Sequence, residues 1–189
     1  MTELENYIHI HFDIDPEDCK KLTGLFTTET VKKGDYFLRS GVYCNKFSFI
    51  QEGIFRVYVN LPDTEVTQWI STGGSFITDL YSFVYRNPSR FNIQALTDVR
   101  LFTIDYEQYK TMEKHIPKWN EFEKLLIGKC FVMLENRVFD FISKSAEERY
   151  VQMFDQNREL FNLVPLHYLA SMLGMTPETF SRIRRKMVS

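Results

Sequence analysis

The stretch Leu166–Ser189, LHYLASMLGMTPETFSRIRRKMVS, decides how the rest of the chain is read. With Leu166 as position one, Leu169, Ala170, Leu173, Gly174, Met175, Phe180 and Ile183 fall at four, five, eight, nine, ten, fifteen and eighteen. Each position has a physical task. Ala170 is small where a second helix must cross it, and Gly174 supplies the positive φ that ends a first helix and makes a turn. Leu169, Leu173, Phe180 and Ile183 form the apolar seam shared by two helices. Thr176 suits the N-cap of the second helix, Pro177 its first position, and Glu178 the positive end of its dipole.

That second helix carries Glu178, Ser181, Arg182 and Arg185 on the face opposite Phe180 and Ile183, and four cations stand in the last eight residues with no acid among them. Such a face suits the major groove of duplex DNA: an acceptor for cytosine N4, a bidentate donor for guanine, and cations for phosphate. Thr176, Pro177, Glu178, Ser181, Arg182 and Arg185 are therefore the expected DNA contacts. The bland alternative is a helical hairpin with a solvated basic end.

Working outward, Ser145 followed by Glu148 reads as a capping box that opens a new helix and begins the C-terminal unit, residues 145–189. Upstream, after Pro117, Ile127, Phe131, Leu134, Val138 and Phe141 recur at spacings of four and three, a coiled-coil seam, while Trp119, Phe122, Leu126, Cys130 and Met133 form a second stripe. One helix over about 117–144 with two apolar faces has two surfaces to pack on: its own N-terminal domain and, through Ile127, Phe131, Leu134 and Val138, a second subunit; the plainer alternative is a core helix inside one domain. From Thr28 to Tyr106 short runs rich in aromatic and β-branched residues alternate with turn signals, which predicts an antiparallel barrel or sandwich. Within it Glu52-Gly53 reads as a two-residue hairpin turn, Leu61-Pro62-Asp63-Thr64 as another, and Thr78–Tyr85 as a short helix capped by Thr or Asp. Pro16-Glu17-Asp18 predicts a helical first turn near the N-terminus. The fold class is thus α+β: an N-terminal β-rich domain over 1–116, a long helix over 117–144 open to dimerisation, and a helix-turn-helix unit, winged-helix-like, over 145–189.

Composition narrows the function. The 189 residues carry a formal charge of −2, yet residues 145–189 hold six Lys/Arg against five Asp/Glu, so a local basic patch survives an acidic total. Cys19, Cys44 and Cys130 are odd in number and far apart, which points away from disulfides and towards a reducing cytoplasm. No apolar run reaches membrane-spanning length and the N-terminus lacks a leader pattern, so no membrane partner is expected. A metal-dependent β-barrel enzyme would need two His and an acid within the strands, and no His lies between His11 and His115. Phosphate-cradling and GxSxG motifs are missing too, so no enzyme is expected. His9 and His11 form an HxH pair with no third ligand nearby, and read as surface residues. His115, near a helix end, and His167 read as structural; no metal is expected.

In the order of its parts the chain resembles the cyclic-AMP receptor protein and fumarate-nitrate regulator (Crp/Fnr) family of bacterial transcription regulators. The resemblance rests on VKKGDYFLRSG followed by FSFIQEGIFRVY for the cyclic-nucleotide-binding jelly roll, on the 117–143 helix, and on the C-terminal unit. It implies a homodimer on double-stranded DNA at a TTGA-like or TGTGA-like inverted repeat, with Glu178, Ser181 and Arg182 at the reading spacing, and RNA polymerase as a further partner. The family's phosphate-binding cassette has Gly-Glu-Leu and, about ten residues after the Glu, Arg-Ser. Here Thr78-Asp79-Leu80 and Ser89-Arg90 stand in those places, and the reversed order turns the arginine to the other face of an extended segment. The implied effector residues are Asp79, Leu80, Ser89 and Arg90, in a form that disfavours cyclic AMP and leaves another small ligand, or none, open. Cys19 stands alone at the N-terminus, which argues against an iron–sulfur cluster, and no cofactor is called for. The competing reading is a ligand-binding sensory module that reads no specific DNA.

Overall fold

The computed structural model describes residues 2–12 and 14–188. Helices α1 (Glu3–Phe12) and α2 (Pro16–Thr23) precede strands β1 (Thr27–Val31), β2 (Tyr36–Leu38), β3 (Lys46–Glu52), β4 (Ile54–Leu61), β5 (Thr64–Thr72) and β6 (Ser75–Ile77). Helix α3 (Leu80–Tyr85) interrupts the strands before β7 (Asn92–Ala95) and β8 (Val99–Asp105). Two single turns, α4 (Tyr106–Tyr109) and α5 (Met112–His115), lead into the long α6 (Trp119–Ser143), and α7 (Ala146–Gln156), α8 (Leu160–Leu163), α9 (Leu166–Met172) and α10 (Pro177–Val188) complete the described chain.

The strands form two four-stranded antiparallel sheets, ordered β1-β8-β3-β6 and β2-β7-β4-β5. This double-sheet arrangement is the antiparallel sandwich the turn spacing predicts, and the jelly roll the resemblance implies. The Leu61–Thr64 turn is a hairpin as expected, with Leu61 paired to Thr64. Glu52-Gly53 is not. β3 pairs with β6 and β8 and β4 with β5 and β7, so this dipeptide is a corner where the chain passes from one sheet to the other. Gly53 has φ +105°, and a Cβ there would lie 2.5 Å from the Asp98 carbonyl oxygen and 2.8 Å from the Val99 Cα. The corner passes so close to the start of β8 that only glycine fits.

Alternation along β3 sends Phe47 and Phe49 to one side and Ser48 and Ile50 to the other. The Phe49 ring meets Tyr7 of α1 at 5.2 Å, and Phe76 of β6 meets Phe122 of α6 at 6.2 Å. This aromatic layer docks α1 and the start of α6 on the outer face of the first sheet. On the inner side the Ser48 and Thr103 hydroxyls pair at 2.8 Å, which satisfies both in a dry core. Helix α1 is an addition to the expected elements: Leu4, Ile8 and Phe12, four residues apart, are all buried.

Helix α6 has two unlike halves. Trp119, Phe122 and Leu126 are buried against the barrel, each worth roughly 1.5–3 kcal/mol by apolar burial. Beyond Leu126 the second stripe does not continue as predicted: Cys130 is half-buried and Met133 exposed. Ile127, Phe131, Leu134 and Val138 are 45%, 64%, 49% and 58% exposed. Phe141, read as part of that seam, turns instead into its own chain, with the Arg149 guanidinium 4.8 Å from its ring centroid.

Ser145 and Glu148 form the capping box that opens α7. Tyr150, Phe161, Leu169, Ala170, Phe180 and Ile183 make the core of the helical unit that follows. No strand occurs among the described residues beyond 144, so the expected winged-helix likeness extends to the helices only. No helix among the described residues is long and apolar enough to cross a membrane.

Candidate nucleic-acid interface and effector segment

The turn between α9 and α10 follows the spacing logic residue by residue. Gly174 takes φ +67°, its N–H donates to the Ser171 carbonyl, and the Met175 N–H donates to Ala170 O at 3.0 Å. A Cβ on Gly174 would stand 2.5 Å from the Phe141 ring, so this glycine is needed for conformation and for space. The Thr176 hydroxyl accepts the Thr179 N–H at 3.2 Å and Pro177 is the first residue of α10. Phe180 and Ile183 are buried, while Glu178, Ser181, Arg182 and Arg185 are exposed on the other side of the helix. Its own backbone N–H, then the Thr176 hydroxyl, hold the Glu178 carboxyl below the usual range, so it is an anionic acceptor at neutral pH. Lys186 is bonded to Glu147 of α7 at 2.7 Å, which ties part of the basic end to its own unit.

What aims this unit is a contact absent from the sequence reading. Helix α9 lies on the outer face of β4 and β5. β5 is a sheet edge, and the register jumps from Val57–Trp69 to Tyr58–Thr67, leaving Gln68 as a bulge. The Thr67 N–H donates to Ser171 Oγ of α9 at 2.9 Å, and the Gln68 carbonyl accepts from Arg137 of α6. Arg137 also donates to Met172 O at 3.0 Å, and Arg149 to Leu173 O at 3.1 Å, satisfying carbonyls at the end of α9. Alongside, Arg56 is only 2% exposed. Its guanidinium lies between the Tyr58 and Tyr168 rings, 4.1 and 3.7 Å from their centroids, and bonds Thr67 Oγ1 at 2.9 Å and Glu65 at 2.6 Å. Burying a cation without such partners would cost several kcal/mol, so Tyr168 of the helical unit completes a site begun in the barrel. Burial, and then the hydrogen bond to Tyr36, push the Tyr58 phenol far above its ordinary pKa and keep it neutral.

In the 79–90 segment the expected effector residues are brought together but turned to other uses. Asp79 caps α3, its Oδ1 accepting the Tyr81 and Ser82 N–H groups at 3.1 and 3.3 Å, and its Oδ2 accepts the Ser89 hydroxyl at 2.6 Å. Both residues are buried. Leu80 is 39% exposed, and Arg90 is exposed with its guanidinium 4.7 Å from the Tyr81 centroid. Serine faces in and arginine out, as the reversed order predicts. Both Asp79 oxygens are engaged within the chain. Elsewhere, the His9 Nδ1 lies 3.0 Å from Ile14 O and the His11 ring packs 4.4 Å from Tyr7. No cluster of three metal-ligating side chains occurs among the described residues. Cys19, Cys44 and Cys130 are unpaired thiols.

The chain thus combines a double-sheet jelly roll, a long helix with an exposed apolar stripe and a compact C-terminal helical unit. Residues 28–115 match the family model for the cyclic nucleotide-binding domain. The structural neighbours of the whole chain are Crp/Fnr-family transcription regulators, and the resemblance read from the sequence holds. The c-di-GMP responsive global regulator CLP of Xanthomonas campestris superposes with a TM-score of 0.71 at 13% identity, over 92% of this chain and 91% of that one. A regulator assigned to the crp/fnr family from Eubacterium rectale gives 0.69 at 19% identity, over 96% and 87%. The catabolite activator protein of Thermus thermophilus gives 0.59 at 18%, over 96% and 86%. At these identities the likeness is one of fold. A sequence search of curated proteins finds no match.

Proposed function

We propose that this chain is a sequence-specific transcription regulator that binds an inverted-repeat operator as a homodimer in the cytoplasm, with 1–116 as sensory domain, 117–144 as dimerisation helix and 145–189 as DNA-binding unit. The observation that carries the reading is the exposed face of α10, where Glu178, Ser181, Arg182 and Arg185 are backed by buried Phe180 and Ile183. Polar side chains fixed on a rigid helix and turned to solvent are what direct base readout requires. The exposed stripe Ile127, Phe131, Leu134 and Val138 supports pairing of α6 with a second copy, since four large apolar side chains on one helix face are a surface to be covered. A dimer presents two α10 helices to half-sites about one helical turn, roughly 34–36 Å, apart.

For the effector, the closed Asp79–Ser89 pair and the outward Arg90 speak against a cyclic nucleotide held in the family's manner. The test is selection of bound duplexes from a random pool, with and without cyclic AMP. An enriched inverted repeat unaffected by the nucleotide supports both parts. A cyclic-AMP requirement overturns the reading of the 79–90 segment. No enriched sequence in either condition, with flat salt dependence of binding, favours the sensory module without specific DNA.

A further inference from the structure

A cavity of about 550 Å³ opens in the elbow between α6, β5, α7 and α9, within the size range of small-molecule sites. Trp69, Phe141, Met153 and Leu160 supply apolar wall, and Lys129, Arg137 and Arg149 supply positive charge. One acid, Asp140, also lines it, and that carboxylate is paired with Lys144 at 2.6 Å. Arg137 and Arg149 are hydrogen-bonded to carbonyl groups, and among the described residues no carboxylate ion-pairs with either. Burial holds the Arg137 guanidinium below its ordinary pKa, and it lies 5.0 Å from the Trp69 ring centroid. At 100° per residue Lys129, Met133, Asn136 and Asp140, four of the α6 positions lining the cavity, lie roughly opposite the Ile127–Val138 stripe, while Arg137 and Phe141 lie between that side and the stripe.

We propose that this elbow binds a small organic anion, an acidic group carried on a flat apolar body, and that its binding loosens α9 from β5. The acidic group would take the unused donors of Arg137 and Arg149, and the apolar body would lie against Trp69 and Phe141. Arg137 joins Gln68 O of β5 to Met172 O of α9, so an anion that draws its guanidinium away weakens a link between barrel and helix-turn-helix unit. The consequence for transcription rests on the function proposed above; the binding itself does not.

The experiment uses the full chain without DNA, so that its failure and a failure of duplex selection are separate results. Naphthalene-1-sulfonate is titrated while tryptophan fluorescence is read, with Trp69→Phe defining the contribution of buried Trp119. Saturable quenching of Trp69 is expected, with the neutral 1-naphthalenemethanol binding at least about tenfold more weakly, the loss of one charge-assisted hydrogen bond. Arg137→Gln should weaken the sulfonate by a similar factor. Asn136→Asp, an isosteric change on an exposed lining residue, should weaken it several-fold without touching the interdomain bonds. At saturation the Thr67 amide, which donates to Ser171, should exchange its hydrogen faster. No saturable Trp69 signal, equal binding of the neutral compound, or unchanged affinity in both variants overturns the site. Unchanged Thr67 exchange at saturation overturns the coupling.

Discussion

Helix α10 and the 79–90 segment both carry polar residues at the spacing of a known functional pattern, and the structure treats them in opposite ways. On α10 the apolar residues are buried and Glu178, Ser181, Arg182 and Arg185 are turned to solvent. In the 79–90 segment Asp79 and Ser89 are buried and bonded to each other, and the remaining Asp79 oxygen holds the end of α3. Polar groups that satisfy one another inside a protein stabilise it; groups held rigid and left facing outward are available to a partner. The same residue types at the right intervals are therefore left available to a partner in one place and consumed by the fold in the other.

The sharpest way to break this contrast is to present one α10 instead of two. Leu134→Glu should convert a dimer to a monomer by light scattering, and operator affinity should fall by about 10² to 10⁴, the avidity lost with one of two linked contacts. A dimer that persists moves the interface away from the α6 stripe. Arg182→Ala, measured against a series of single-base operator variants, should cost roughly 1–3 kcal/mol per half-site and relax preference at one base pair. Uniform loss on every sequence would make Arg182 a phosphate contact and α10 a weaker reader.

Asp79→Ala sharpens the other side. It removes the cap of α3 and leaves the Ser89 hydroxyl only the Phe91 carbonyl as acceptor, so the melting midpoint should reflect about 0.5–2 kcal/mol lost, with operator affinity unchanged. Loss of affinity without loss of stability would mean the segment is an effector site after all. The smallest effect concerns Asp140, whose carboxyl the Lys144 ion pair, and then Gln152, hold below its ordinary value. A carboxylate whose folded pKa is depressed contributes stability that is present above its unfolded pKa and lost as pH falls through the folded one. For this half-buried pair at the protein surface that contribution is about 1 kcal/mol or less. Thermal melts of Asp140→Asn and the parent should differ near neutral pH and converge below the carboxylate range.

Much of the C-terminal unit was legible because its signals are local. Gly174, Thr176 and Pro177 act on their own backbone, and a 3.6-residue period separates Phe180 and Ile183 from Arg182 within one helix. The corner at Glu52-Gly53 was not, because a hairpin and a passage between sheets look alike over two residues; the difference lies in β8, some fifty positions on. Helix α1 had a signal that went unused, Leu4, Ile8 and Phe12 at intervals of four. The Arg56–Tyr168 stack and the Arg137 bridge carried none: residues more than a hundred and some seventy positions from their barrel or helical partners meet only once both units are folded. The candidate reading face on α10 was therefore open to sequence reasoning, and the device that aims it was not.

The sheet order has a consequence for how the chain is made. β8 lies between β1 and β3, so until residues 99–105 have left the ribosome β1 has no partner in the first sheet and β3 has only β6. Until then Phe47, Phe49 and Phe76 stand on a two-stranded fragment, while the β4–β5 hairpin, closed over a two-residue turn, can form at once. Closure over such sequence distances is slow compared with local hairpin formation. The half-made jelly roll is the stage at which the nascent chain most needs protection from its neighbours.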